Sequence, residues 1–205
     1  MLATLLDLVF PPRQSERLTR ATSLSDVETI FDPRLSDSTT PKSHVLLPFS
    51  DARVRALIHE SKYHDNAQAQ ARLGSILTTY LKEVGREHVL LHTNTYVLVP
   101  MPLHPKKKRS RGYNQMERIL DHARALEVPT KQVLSRTKYT DTQTKLSVQQ
   151  RKENVRDAFV ATDIRSKCTY VLVDDVLTTG STMQAAIDTL YEAGAEDVIP
   201  IALAH

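Results

Sequence analysis

Two adjacent carboxylates, Asp174 and Asp175, are followed within a few positions by Thr178, Thr179, Gly180, Ser181 and Thr182. These types at this spacing point to a phosphorylated sugar. A loop that opens a helix presents unpaired backbone N–H groups and the positive end of the helix dipole, which together favour a phosphate. Gly180 lets the backbone approach the anion closely, and the hydroxyls around it add donors. The Gly-Lys-Ser/Thr ending of a nucleoside-triphosphate loop is absent from the stretch, so a monophosphate is the better match. Asp174 and Asp175 would repel a phosphate placed beside them. A ribose separates the two, with its 5-phosphate in the turn and its 2- and 3-hydroxyls donating to the carboxylates. The plainer alternative is a buried strand leading to a helix start, and agreement at every position of residues 169–182 argues against it.

Such a turn needs a strand behind it and a helix ahead. The apolar run at 170–173 supplies the strand, and the pattern at 183–193 supplies the helix. Further strands are expected at 44–49, 95–99, 133–134, 158–160 and 197–203. Between them fall three helices: one capped by Asp51 that carries Val54, Leu57 and Ile58, one with Ala69, Leu73, Ile76, Leu77, Tyr80 and Leu81, and one over 115–126. Alternating strands and helices predict an α/β protein with a doubly wound, mostly parallel sheet. Ligands of such sheets bind beyond the carboxyl ends of the strands, where the turn after Asp175 and the proline-rich stretch 100–111 both fall. Residues 100–105, with Pro100, Pro102 and Pro105, read as a rigid loop at a strand end, and 100–111 as a whole is expected to be one of two loops converging on a crevice. Residues 136–156 read as a long, partly helical, mobile loop, after which 158–160 returns the chain to the sheet. Residues 1–40 read as an appendage: a short helix stopped by Pro11 and Pro12, then a loosely structured polar segment. The main domain is 41–205.

The run at 169–182 resembles the 5-phosphoribosyl-1-pyrophosphate (PRPP) motif of the type I phosphoribosyltransferases. The resemblance implies Asp174 and Asp175 as catalytic residues and Thr178 to Thr182 as the 5-phosphate site. It also implies a pyrophosphate on ribose C1 that cations must meet, and Pro102, Arg109 and Arg111 are assigned to that end. Lys106, Lys107 and Lys108 could also meet the pyrophosphate, a reading that weighs equally with a solvated basic loop or nucleic-acid patch. Arg136, Lys138, Thr140 and Gln143 are candidates for a lid that excludes water from an oxocarbenium-like transition state, with an exposed linker as the alternative. Magnesium is implied by the charge of the pyrophosphate and would be carried through PRPP, with Asp174 and Asp175 as its only candidate protein ligands.

Composition narrows the setting. The 205 residues carry a formal charge of +3, which suits a polyanionic ligand and leaves nucleic acid open. No apolar run approaches the ~20 residues of a membrane span. Cys168 is the sole cysteine, so it forms no internal disulfide and no zinc site alone, and the histidines show no metal-ligand spacing. An intracellular, cytoplasmic protein without structural zinc is the expectation.

A closer resemblance spans nearly the whole chain. It rests on Leu5-Leu6-Asp7, Phe10-Pro11-Pro12-Arg13, residues 58–63, Val99 to His104, Arg109 to Gln115, Arg136, Thr140, Gln143, Leu146, Arg151, Asn154, Ala158-Phe159 and the PRPP run. With these the chain is similar to the ComF family of phosphoribosyltransferase-like proteins associated with competence. The family's four-cysteine zinc module has no counterpart in residues 14–41. The resemblance implies an accessory to single-stranded DNA uptake beside a helicase-like partner, and leaves the acceptor and oligomeric state open. Two other functions remain compatible: a nucleobase-salvage enzyme that releases pyrophosphate, or a nonenzymatic PRPP sensor. Against salvage, the chain stops just after the last expected strand, leaving only the first forty residues to cover a base.

Overall fold

The computed structural model of the chain describes residues 11–37, 39–88, 95–123, 128–138 and 157–205. Among these residues a five-stranded sheet runs in the order β1 (Arg34–Leu35), β2 (His44–Leu47), β7 (Asp197–Ala204), β6 (Cys168–Val176) and β3 (Thr95–Pro100). β1 pairs antiparallel with β2, and the other neighbours are parallel. The fold is therefore the α/β class expected. β6 lies inside the sheet, and Val171, Leu172 and Val173 are all buried, as a strand covered on both faces requires. β7 tolerates Pro200 because β2 starts pairing only at Ile201, so the proline falls where one side still has an edge.

The helices that cover the sheet are α3 (Ala52–Tyr63), α4 (Ala67–His88), α6 (Gln115–Asp121) and α7 (Ser181–Glu192). Asp51 caps α3 as expected, accepting from Arg53 N at 2.7 Å. Leu57, Leu73, Ile76, Leu77, Met116, Ile119, Leu120 and Leu190 are buried in one continuous core with the strands. α4 and α6 meet at Gly74, where a Cβ would lie 2.8 Å from Ile119 O, so any larger residue would push the helices apart.

Four expectations need correction. The segment before residue 41 is not loosely structured. It forms α1 (Gln14–Ala21), α2 (Leu24–Glu28) and β1, with Ser23 and Asp26 in a capping box and Val27 buried in the core. Tertiary contacts decide this: Arg13 and Ser15 bind the buried Glu60 of α3, and Arg72 of α4 donates to Thr19 O at 2.7 Å. The basic stretch is not loop but helix α5 (Pro105–Arg111), because His104 caps it, Pro105 opens it and Gly112 closes it at φ 86. The strands expected at 133–134 and 158–160 do not join the main sheet. They pair antiparallel as a ribbon of β4 (Leu134–Arg136) and β5 (Phe159–Ala161). Strand β6 does not stop at the expected residue 173 but runs on through both aspartates to Val176. The first ten residues and most of the 136–156 loop lie outside the described residues.

Candidate functional site

The acidic pair occupies the last turns of pleat in β6, so its two carboxylates alternate across the sheet. Asp175 is buried at 5% exposure, and Asp174 is part-buried. Asp175 Oδ2 accepts from Gln115 Nε2 at 2.8 Å and pairs with Lys62 Nζ at 3.0 Å. Burial pushes the Asp174 carboxyl up to about 7, and the neighbouring Asp175 charge adds to the shift. Lys62 and Arg136 pull the other way. Burial would lower Lys62, but the attraction of Asp175 outweighs it and raises the lysine.

The turn after the pair is held from several sides. Leu177 N donates to Ala204 O at 2.9 Å, and His205 Nδ1 lies 2.9 Å from Leu177 O. Gly180 adopts φ 78 as the residue before α7 and accepts from Gln184 N at 2.8 Å. Thr178 is exposed, Ser181 is buried, and the hydroxyls of Thr179 and Ser181 lie 3.0 Å apart. A Cβ on Gly180 would fall 2.4 Å from Thr40 O, so the segment before β2 walls one side of the turn. Ser36, Thr39 and Ser43 brace that wall through hydroxyl contacts, the shortest being 2.7 Å between Ser36 Oγ and Thr39 Oγ1. This places the turn, with Thr182 in the first turn of α7, at the start of a twelve-residue helix.

The second loop leaves the sheet alongside. Pro100 is in register with Val173, and Met101 N donates to Val173 O at 2.9 Å, so residues 101–104 leave next to the acidic pair. Pro102 is part-buried in this loop. Asn114 Nδ2 donates to Met101 O at 3.1 Å while Asn114 Oδ1 caps α6 through Met116 N, tying the loop to that helix. Tyr113 donates to Ser61 O and accepts from Asp65 N, which locks α6 to the end of α3. Arg111 bonds Gln115 Oε1, and its guanidinium sits 5.3 Å from the centre of the Tyr63 ring. Arg111 is thus joined to the acidic pair through Gln115, whereas Arg109 is exposed on α5 and Lys108 pairs with Glu117 at 3.0 Å.

Arg136, at the end of β4, stacks 5.4 Å from the Phe159 ring and is close enough to Asp174 to interact electrostatically. Burial lowers its pKa, and Asp174 opposes that shift. Lys138 is exposed and lies 3.5 Å from Asp157. Thr140 and Gln143 lie outside the described residues. Sequence reasoning missed Lys62 and gave Gln115 no role, because both act on Asp175 from distant helices. It also missed the grouping of His59 and His64 around Glu60, whose carboxylate already accepts from Ser15 and Arg13.

A sequence model of the phosphoribosyl transferase domain matches residues 117–205, which include the acidic pair and the whole turn. Competence protein F of Haemophilus influenzae is 30% identical over 147 residues, covering 69% of this chain and 63% of that protein. This chain belongs to the ComF-like phosphoribosyltransferase family. DNA utilization protein YhgH of Salmonella typhimurium is likewise 30% identical to the ComF-like chain, over 69% of it and 63% of that relative. The bifunctional protein PyrR of Desulfosudis oleivorans is 30% identical over 63% of this chain and 68% of that protein. The ComF-like chain thus matches somewhat under two thirds of the length of its competence-related relatives. No helix among the described residues is long and apolar enough to cross a membrane.

Proposed function

We propose that this ComF-like chain binds PRPP with magnesium, retains phosphoribosyl-transfer chemistry and serves the uptake of single-stranded DNA on the cytoplasmic side. One observation carries the ligand: the acidic end of β6 runs directly into a hydroxyl-rich turn at the start of α7, beside the loop that leaves β3. The turn offers backbone N–H groups and hydroxyls to the 5-phosphate, while Asp174 and Asp175 accept from the ribose hydroxyls. Arg111, tied to Asp175 through Gln115, is the first cation available to a pyrophosphate on C1, with Arg109 and Pro102 as further candidates. Arg136 adds positive charge beside Asp174.

Asp174 and Asp175 are hard oxygen donors and fit magnesium that is held mainly by substrate phosphates and water. When bound with PRPP, the ion would supply charge neutralisation at the leaving pyrophosphate. The protein's own part is to orient the ribose and to keep water from its C1. The names carried by the competence-related relatives support the DNA-uptake role. The basic stretch of α5, with Lys106, Lys107 and Lys108, is the candidate region for a single strand, beside a helicase-like partner.

The test is calorimetric titration of PRPP with Mg²⁺ into the purified chain, with pyrophosphate release followed in the same sample. We expect saturable binding that Asp175→Ala weakens at least tenfold while the variant stays folded by circular dichroism. Release on adding single-stranded DNA or a free base identifies the acceptor class. Binding without release under any acceptor would make the chain a sensor, and unchanged affinity in folded Asp175→Ala would remove the site assignment.

A further inference from the structure

Lys62 reaches the acidic pair from the last turn of α3, an element that contributes nothing to the phosphate turn. Its ammonium lies 3.0 Å from Asp175 Oδ2, the same oxygen that accepts from Gln115. A ribose hydroxyl arriving at Asp175 therefore meets a carboxylate whose charge is already balanced. The lysine side chain is 28% exposed against 7% for the aspartate, so the lysine has more room to move than the carboxylate it pairs with. Its flexible stem allows the head group to move, whereas Gln115 is buried and held by Arg111.

An ammonium displaced from a carboxylate in so confined a place is costly unless another anion takes it. Its neighbour in the chain is in contact with a second cation. Tyr63, the next residue, is 57% exposed and carries the Arg111 guanidinium over its ring at 5.3 Å. Lys62 acts on Asp175 Oδ2 directly and Arg111 acts on it through Gln115, so two cations converge on one carboxylate, and the phosphoribosyl reading assigns Arg111 to the pyrophosphate.

We propose that Lys62 is a resident counter-ion displaced by the ligand: it neutralises Asp175 in the free protein and transfers to the pyrophosphate end when ribose hydroxyls take the carboxylate. This rests on the phosphoribosyl reading above and adds to it a positioning residue that also discriminates between ligands. Losing Lys62 removes a competitor at Asp175 and a ligand at the pyrophosphate. Ribose 5-phosphate, which lacks the pyrophosphate, feels only the first of these changes, whereas PRPP feels both.

Two measurements test it. Without ligand, thermal unfolding is compared for the wild type, Lys62→Met, Asp175→Asn and the double variant. The counter-ion role requires coupling, so the double variant should unfold at the midpoint of Asp175→Asn and not at the sum of two losses; simple additivity overturns the proposal. With Mg²⁺ present, PRPP and ribose 5-phosphate are then titrated into wild type, Lys62→Met and Lys62→Arg. We expect Lys62→Met to weaken PRPP at least tenfold while ribose 5-phosphate binds as well as before or tighter, and Lys62→Arg to recover part of the PRPP affinity. Equal losses for both ligands, or none for PRPP, overturn the transfer. If the unfolding cycle shows coupling but the wild type binds neither compound, the phosphoribosyl reading fails and the transfer falls with it, leaving the ion pair as a stabilising contact.

Discussion

Gln115 donates from Nε2 to Asp175 Oδ2 at 2.8 Å, joining the first turn of α6 to the end of β6 across 60 residues of chain. The bond is buried, and Arg111 orients the glutamine by donating to its Oε1. Gln115→Ala should therefore destabilise the fold by about 1–3 kcal/mol, the cost of leaving a buried carboxylate short of a donor. For a chain of this size each kcal/mol lowers the unfolding midpoint by about 2–4 °C, which calorimetry resolves. A midpoint unchanged within a degree would mean that Asp175 does not depend on this donor.

Gly180 offers a second test. Its φ of 78 and the 2.4 Å approach of Thr40 O to a built Cβ leave no room for a side chain. Gly180→Ala should cost roughly 1–3 kcal/mol from the backbone conformation alone. The clash with Thr40 adds to this and shifts the turn, so PRPP affinity should fall further than that of a surface alanine variant. Wild-type affinity in Gly180→Ala would show that the turn does not hold the phosphate.

Asp174 predicts a pH dependence. Its folded value is raised from 3.8 to about 7, so between those limits the folded protein holds a proton that the unfolded chain has lost. The stabilisation is fully present below about pH 4 and declines as pH rises through 7. Asp174→Asn keeps the neutral form at all pH values, so its midpoint should rise above that of the wild type near pH 8 and vary less across pH 4–8. Parallel midpoint curves for the two proteins would contradict the burial of this carboxylate.

Glu60 tests the attachment of the N-terminal helices. Its carboxylate is buried and accepts from Ser15 Oγ at 2.7 Å and Arg13 Nη2 at 3.1 Å, and these bonds hold its pKa below the usual range despite burial. Because Arg13 is half exposed, the ion pair is partly screened, and Glu60→Ala should cost about 1–3 kcal/mol. Limited proteolysis should then cut between α1 and β1 sooner than in the wild type. Identical digestion would mean that Glu60 does not fasten this segment.

Much of the architecture could be read from residues alone. The apolar run before Asp174 and the strand ending at Pro100 are visible because a strand buried on both faces must be apolar throughout, and the turn is visible because phosphate binding needs glycine and hydroxyls at fixed local offsets. The α3 cap at Asp51 is likewise a local signal. The basic stretch before Gly112 misled because its three preceding prolines resemble loop chemistry, whereas Pro105 sits at a helix start, the one helical position where proline fits well.

By itself the sequence determined the α/β alternation, the strand–turn–helix order around Asp174 and Gly180, and the adjacency of acids and hydroxyls, all of which depend on neighbours within a few residues. Tertiary structure alone decided that Lys62 and Gln115 converge on Asp175, that Arg111 rather than Arg109 joins them, that Thr40 walls the phosphate turn and that β4 and β5 pair outside the main sheet. Those contacts join residues far apart in the chain, and local periodicity has no means of encoding which distant side chains will share one buried carboxylate.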